Sequence, residues 1–334
     1  MSLSRPDVSV LLVTRREPIV RLRRVLDALA AQAGAGTLEL LIAAPPDEHP
    51  ALAGLPTRGA VQRVTLVANL DGRRSAGLNR ALDRARAATV VRVDARSVPP
   101  PDYVVRCVAR LAANPAIGVV GAIQRPAAHD ADAGARGIAR ALRNPWLLGG
   151  APYRRAGGGG PADTAYLGAF RRHELVAAGG YDERLDANED FDLCARYRAA
   201  GQEVWIEPGL EVEYEPRRTH RELWAQYRAF GEAKVRYWHA TGARPNRRQR
   251  VALGGAVAAT IAGVLVSRRP RRLVTALIAG LGALALVDHS VDPEERDVAT
   301  RVAAIGAYAT FLTGWCFGIV RGLTRAAAPR RSSG

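Results

Sequence analysis

The alternation of short apolar runs with segments of helical period narrows the fold of this chain more than any other feature. VSVLLV (residues 8–13), LELLIAA (38–44), VQRVTLVA (61–68), TVVRVD (89–94) and IGVVGAI (117–123) are strand-length runs. Their apolarity is continuous where a half-exposed strand would alternate, which suits strands covered on both faces, the pattern of parallel sheets. Between the first two runs, Leu22, Val25, Leu26 and Leu29 recur at helical spacing behind Pro18, a residue suited to a first helical turn. Leu78, Ala81, Leu82 and Ala85 do the same within 74–87, and 102–113 reads as a helix after a proline run. Strands alternating with helices predict a doubly wound α/β sheet. Ligands bind such sheets beyond the carboxyl ends of the strands.

The pattern weakens over 124–162, where the four glycines of 157–160 read as a loop, either a mobile lid or a slack surface segment. Order returns at 163–201, followed by two expected strands, EVWIEP and LEVEYEP, and a long helix over 219–239. After the basic break RPNRRQR the chemistry changes: segments 251–266, 273–287 and 302–320 are apolar. The last, at 19 residues, is long enough to cross a bilayer at about 1.5 Å per residue. Arg268, Arg269, Arg271 and Arg272 precede the second segment, an acidic loop (288–297) separates the second and third, and Arg321, Arg325, Arg330 and Arg331 follow. Two crossings, by 273–287 and 302–320, put both basic flanks on the cytoplasmic side, with 251–266 in the interface. The alternative is an apolar helical hairpin packed on the preceding domain.

The net charge of the 334 residues is +16. A nucleic-acid module concentrates its basic residues in one stripe; here arginines are spread along the chain, which argues against a nucleic-acid partner and leaves an anionic membrane face or a phosphorylated substrate. Cys107, Cys194 and Cys316 form neither a zinc pattern nor a disulfide framework. The opening MSLSRPDVSV has no secretory signature, so the first domain is expected in the cytosol.

Several residues carry chemistry. Asp94 ends an apolar strand at the ligand edge, where a carboxylate can hold Mg²⁺ or Mn²⁺ on a diphosphate or cap the next turn. In Asn188-Glu189-Asp190-Phe191-Asp192, acids occupy the first turn of a helix, with Phe191, Cys194 and Tyr197 at helical spacing. They read as a general base or, with Asp186 and Glu189 as a capping box, as helix-start residues. Gly168 with Arg171 and Arg172 is a strand end opening into a basic turn, able to grip phosphate or to form a solvated face. The helix bearing Trp224, Gln226, Tyr227, Arg228, Phe230 and Trp238 mixes aromatic and basic residues, as interfacial helices do, or is a core helix with an exposed arginine face.

Taken in order, these pieces resemble the GT-A fold of family 2 glycosyltransferases, most nearly the bacterial exopolysaccharide group of succinoglycan type. The matching residues run from Val8 to about Trp238: Thr14-Arg15-Arg16-Glu17 after the first strand, Asn69 to Asn79, Val93-Asp94-Ala95-Arg96-Ser97, Gly168 to Arg172, Gly179 to Asp182, Asn188-Glu189-Asp190 with Arg196 and Gly201, and Gln226-Tyr227-Arg228 with Gly231. The resemblance implies that Thr14, Arg15 and Glu17 border the nucleotide. It implies that Asp94, the first acid of the DxD motif, meets a divalent cation and the donor diphosphate. Asp190 of the ED motif is then the catalytic base beside Glu189. Gln226 and Arg228, similar to the QxxRW element, lie near the diphosphate and acceptor. Asn79, Gly168, Arg171 and Arg172 complete the expected substrate contacts. Arg96 stands where the second DxD acid would be. Ala43-Ala44-Pro45-Pro46-Asp47 replaces the acidic turn after the second strand, with Asp47 as its nearest stand-in.

The expected organisation is a GT-A domain over 1–240, with a nucleotide-sugar half at about 1–123 and an acceptor half at about 163–240, then a membrane-associated helical region over 241–334. The expected activity is inverting transfer of a sugar from a nucleotide-diphosphate sugar to a saccharide or lipid-linked acceptor in cell-surface or exopolysaccharide synthesis, at the cytoplasmic face of the cell membrane, with Mn²⁺ or Mg²⁺. The alternative is a non-catalytic GT-A scaffold of a polysaccharide assembly.

Overall fold

The structure, a computed structural model, describes residues 5–129, 131–144, 151–155, 157–185, 187–247, 249–251, 253–254, 280, 286 and 297–327. Segments 251–266 and 273–287 and the residue Asp186 lie wholly or almost wholly outside the described residues. The chain divides into two compact units, 1–125 with 151–215, and 126–150 with 216–334.

In the first unit the five apolar runs are strands. The elements are β1 (Val8–Val13), α1 (Ile19–Ala30), β2 (Leu38–Ala44), α2 (His49–Leu52), β3 (Val61–Ala68), α3 (Arg74–Arg84), β4 (Thr89–Asp94), β5 (Ser97–Val98), α4 (Tyr103–Ala113) and β6 (Ile117–Pro126). After α5 (Ala133–Arg143), which belongs to the second unit, follow β7 (Gly160–Pro161), β8 (Tyr166–Arg171), α6 (Arg172–Ala177), α7 (Glu189–Ala199) and β9 (Glu203–Tyr214). The strand order is β3-β2-β1-β4-β8-β6-β9-β5, with β7 paired to β9. β1 to β4 are parallel, and β8 runs antiparallel between β4 and β6. The chain leaves β1 for β2 and β3, then returns to β4 on β1's other side, so the strand order reverses between β1 and β4. That switch point opens a crevice at the strands' carboxyl ends, where Val13 stands opposite Asp94.

Both faces of the sheet are covered, as the continuous apolar runs require. Val10, Leu12, Leu40 and Ile42 pack with Leu22, Val25, Leu26 and Leu29 of α1 and with Val104 and Cys107 of α4. The alternate residues Leu11, Leu41 and Val90 pack with Leu78, Ala81 and Leu82 of α3 and with Leu193, Cys194 and Tyr197 of α7. The period of two in each strand assigns the residues to these two layers. Burial pushes the Cys194 thiol up to about 12, so it behaves as a small core residue. The two strands expected over 203–214 are one, β9, in which Gly209 takes a φ of +66° and keeps the strand continuous across Pro208-Gly209.

The second unit is helical among the described residues: α5, α8 (His220–Thr241) and α9 (Val298–Ala327). Thr219 caps α8 in a reciprocal box with Glu222. α9 contains the expected segment 302–320 and is long and apolar enough to cross a membrane. Its Ala304, Ala307, Tyr308 and Phe311 pack against Ile138 and Leu142 of α5 and Leu223 and Tyr227 of α8. At Gly318 a Cβ would stand 2.1 Å from the Arg228 carbonyl, so the glycine lets the α8 and α9 backbones touch. α5 falls where sequence periodicity is weak, because its buried face is mostly Ala135, Gly137, Ala139 and Ala141. The division before Pro216 groups α8 with α9, whereas the expected boundary at 240 groups it with the sheet.

Candidate active site

The site is built at the β4 end. Arg92 and Asp94 are two apart in β4 and so share a face, the one toward α3 and α7. Arg92 Nε donates to Asp94 Oδ1 at 3.1 Å, and its NH2 lies 3.0 Å from Glu189 Oε1 at the start of α7. The Arg92 side chain is 6% exposed and that of Glu189 2%, so this charge pair is shielded from water and mutually dependent. The Tyr181 ring lies under the guanidinium at 5.9 Å. Arg74, the first residue of α3, reaches to 3.8 Å from Glu189 Oε1.

Asp190 joins the same group. It lines a small pocket with Arg92, Ala165, Leu167, Gly168, Phe170 and Tyr181. Both Asp94 and Asp190 act electrostatically on both Arg74 and Arg92. Burial on its own would raise the Asp94 carboxyl, but Arg92 and Arg74 outweigh it and hold that carboxyl below the usual range. Burial pushes Glu189 up, and Asp190 adds to the push against the opposing arginines. Three carboxylates therefore face two guanidinium groups, one of them deeply buried.

The loops around the site are held by named contacts. Asn79 of α3 accepts from the Tyr181 N–H at 2.8 Å and donates to the Tyr181 carbonyl at 2.8 Å and to Glu183 Oε1 at 2.9 Å. A Cβ on Gly180 would sit 2.6 Å from that Asn79 oxygen, at a φ of +65°. Arg196 pairs with Asp192 at 2.9 Å and donates to the Gly180 carbonyl at 2.7 Å, tying α7 to the same turn. Three described non-glycine residues have positive φ: Arg16 (+55°), Leu167 (+52°) and Asn188 (+68°). They stand after β1, beside Gly168, and immediately before Glu189. Such backbone costs of order 1–3 kcal/mol each and gathers at functional sites; Arg16 and Asn188 lie in segments singled out by sequence, and Leu167 immediately precedes one.

At the β1 end, Thr14 is 2% exposed and its hydroxyl has no hydrogen-bond partner among the described residues. Arg16 donates its N–H to Glu48 Oε1 at 2.8 Å, so Glu48 is the acid that the structure sets at this turn, one residue beyond Asp47. The Arg15 side chain lies against Gly72. Glu17 accepts from Arg96 Nε at 2.9 Å and pairs with Arg21, which also holds Glu215 at 2.8 Å. Arg96 is thus turned to Glu17.

In the basic turn Arg171 serves as internal scaffolding. Arg171 donates to the Ile117 carbonyl at 3.0 Å, to the Asn114 carbonyl at 3.2 Å and to Glu174 at 3.0 Å. Arg172 opens α6. Gln226 and Arg228 belong to the second unit, where Arg228 pairs with Glu232 at 2.6 Å. Sequence reading gave no site role to Arg92 or Arg74, and none to Tyr181 although it lies in the matching run Gly179 to Asp182. A lone charge inside the apolar run TVVRVD was the available signal for Arg92.

Among the described residues no three His, Cys, Asp or Glu side chains converge as a metal cage. The donor set at the crevice is the Asp94 carboxylate, 28% exposed with Arg92 on one oxygen. That fits a hard cation carried chiefly by phosphate oxygens and one protein carboxylate, and does not fit an all-protein site.

Residues 6–229 match the family described as Glycosyltransferase like family 2. The succinoglycan biosynthesis protein ExoA of Rhizobium meliloti is 30% identical over 207 residues, and the match spans 61% of each chain. The mannosyltransferase PcManGT from Pyrobaculum calidifontis, solved with GDP-Man and Mn²⁺, superposes with a TM-score of 0.53 at 20% identity, over 96% of this chain and 88% of that one. GalNAc-T7 solved with UDP, GalNAc and Mn²⁺ superposes at a TM-score of 0.46 and 13% identity, over 69% of this chain and 51% of that one. The strand order, the crevice at β1 and β4 and the sequence match agree: the chain belongs to glycosyltransferase family 2 and has a GT-A-like fold.

Proposed function

We propose that this enzyme transfers a sugar from a nucleotide-diphosphate sugar to an acceptor hydroxyl with inversion, in the synthesis of a cell-surface or exopolysaccharide. The observation that carries the reading is that Asp94 pairs with Arg92 at 3.1 Å while Asp190, nearly a hundred positions away, lines a pocket with the same arginine at the sheet's carboxyl edge. The acceptor oxygen attacks the anomeric carbon, the bond from that carbon to the diphosphate oxygen breaks, the acceptor proton passes to Asp190, and the nucleoside diphosphate leaves. Positioned general bases contribute about 10²–10⁴-fold, and pre-placed charge at the leaving group commonly contributes more. Thr14, Arg15 and Glu17 border the nucleotide in this reading, and Asp94 is the protein ligand of a divalent cation. When bound, Mn²⁺ or Mg²⁺ supplies positive charge to the diphosphate. The superposed mannosyltransferase, solved with GDP-Man and Mn²⁺, supports that choice.

The acceptor we propose is lipid-linked, because α9 is apolar over a membrane-crossing length. The same helix supports a C-terminal membrane-associated region, with α8, which packs on α9, grouped with that region rather than with a GT-A domain ending at 240; the active site is proposed to lie at the cytoplasmic face. Assays of the purified protein against nucleotide sugars, with lipid-linked and water-soluble acceptors in parallel, test both halves. Transfer to the lipid-linked acceptor is expected. Efficient transfer to soluble sugars alone would remove the lipid, and no transfer or donor hydrolysis under any condition would remove the reaction.

A further inference from the structure

Arginines stand at several points near the crevice, and the structure sorts them by what already holds them. Arg96 gives its Nε to Glu17, and Arg171 is spent on backbone carbonyls and Glu174. Arg92 is sealed between Asp94 and Glu189. Arg74 differs. Its side chain is 49% exposed, and its ion pair to Glu189 is 3.8 Å long, beyond hydrogen-bond length. Among the described residues its guanidinium donates no hydrogen bond, yet it stands 3.8 Å from Glu189, the carboxylate that shares Arg92 with Asp94.

Its base is fixed although its tip is loose. α3 is anchored through Ser75 to the Leu185 carbonyl and through Asn79 to Tyr181 and Glu183. A guanidinium on a rigid stem, with its N–H fork unfilled and half open to water, is arranged to receive a planar or tetrahedral oxyanion in bidentate fashion. Moving the tip off Glu189 gives up only a long contact, and Glu189 keeps Arg92 at 3.0 Å. The carboxylates at this edge outnumber the arginines three to two, so an incoming diphosphate needs such a donor beside Asp94.

We propose that Arg74 is a further substrate-binding residue of the transfer reaction, gripping the diphosphate of the nucleotide-sugar donor and of the departing nucleoside diphosphate. The role rests on the function proposed above. It gives this chain a cation for the leaving group at a position where Arg96 is turned away.

The test is calorimetric titration of the full chain with UDP, GDP, ADP and dTDP in Mn²⁺, repeated with the matching nucleoside monophosphate, for the wild type, Arg74→Gln and Arg74→Lys. The wild type should bind one of the diphosphates. Arg74→Gln should weaken that diphosphate about tenfold or more and the monophosphate by no more than about twofold, with Arg74→Lys recovering part of the loss. Equal losses for both nucleotides, or an unchanged diphosphate affinity in a variant that melts as the wild type does, would overturn the assignment. A wild type that binds no nucleoside diphosphate would remove the glycosyl-transfer reading itself, and the role of Arg74 with it.

Discussion

Arg92 reaches along its own strand to hold Asp94, donating from Nε to Oδ1 at 3.1 Å, and NH2 of the same guanidinium lies 3.0 Å from Glu189 Oε1. One side chain therefore links the strand-end carboxylate of β4 to the helix that carries Asp190.

Removing that link should cost both stability and turnover. Arg92→Met keeps the length of the side chain but leaves Glu189 and Asp94 without their shared cation. Breaking a buried pair by deleting one partner costs roughly 3–5 kcal/mol. Chemical denaturation should show a loss of that order, with Arg92→Lys intermediate. A variant as stable as the wild type would show that the buried pair contributes nothing net.

A second buried carboxylate contributes to the acid side of stability. Glu39, 2% exposed, accepts from the Ser9 hydroxyl at 2.6 Å, the Arg86 N–H at 2.7 Å and Arg86 Nε at 3.0 Å. Burial would raise its carboxyl, but these donors and the Arg86 charge hold it below its ordinary value of 4.5. A depressed folded-state value means the stabilisation is present above about 4.5 and is lost as pH falls through the lower folded value. Melting temperature measured against pH should fall in that acid window, and Glu39→Gln should flatten the fall while lowering stability at neutral pH. An acid limb unchanged in the variant would assign it to other groups.

The helix pair of the second unit can be tested at one glycine. Gly318→Leu puts a side chain where a Cβ already stands 2.1 Å from the Arg228 carbonyl. Overpacking of this kind costs about 1–3 kcal/mol or more. Limited proteolysis of detergent-purified protein should cut faster within 216–241 and 298–327. Unaltered cleavage would mean that α8 and α9 are not in backbone contact.

Much of the sheet was legible because β1, β2, β3 and β4 are apolar runs without internal turn residues, and their observed bounds coincide with those runs. Asp94 was legible because a strand-end acid at the switch point is visible in one dimension. Asp190 needed the motif order, since a helix-start acid has an ordinary capping explanation. The arginines were harder. A guanidinium spans several ångströms, so its partner is set by tertiary geometry: Arg171 turns inward to carbonyls over 111–117, while Arg74, inconspicuous in its run, faces the carboxylates. α5 escaped because small buried residues leave little hydrophobic period.

The central claim is that Asp94 and Asp190 serve one reaction from two sides. Donor affinity and transfer rate, measured with Mn²⁺ on the wild type, Asp94→Ala and Asp190→Asn using the nucleotide sugar the wild type accepts, test it most directly. The account predicts that Asp190→Asn binds donor as the wild type does but transfers about 10²–10⁴-fold more slowly, and that Asp94→Ala loses Mn²⁺-dependent donor affinity. Wild-type turnover by Asp190→Asn, or a donor affinity in Asp94→Ala that is unchanged with and without Mn²⁺, would contradict it.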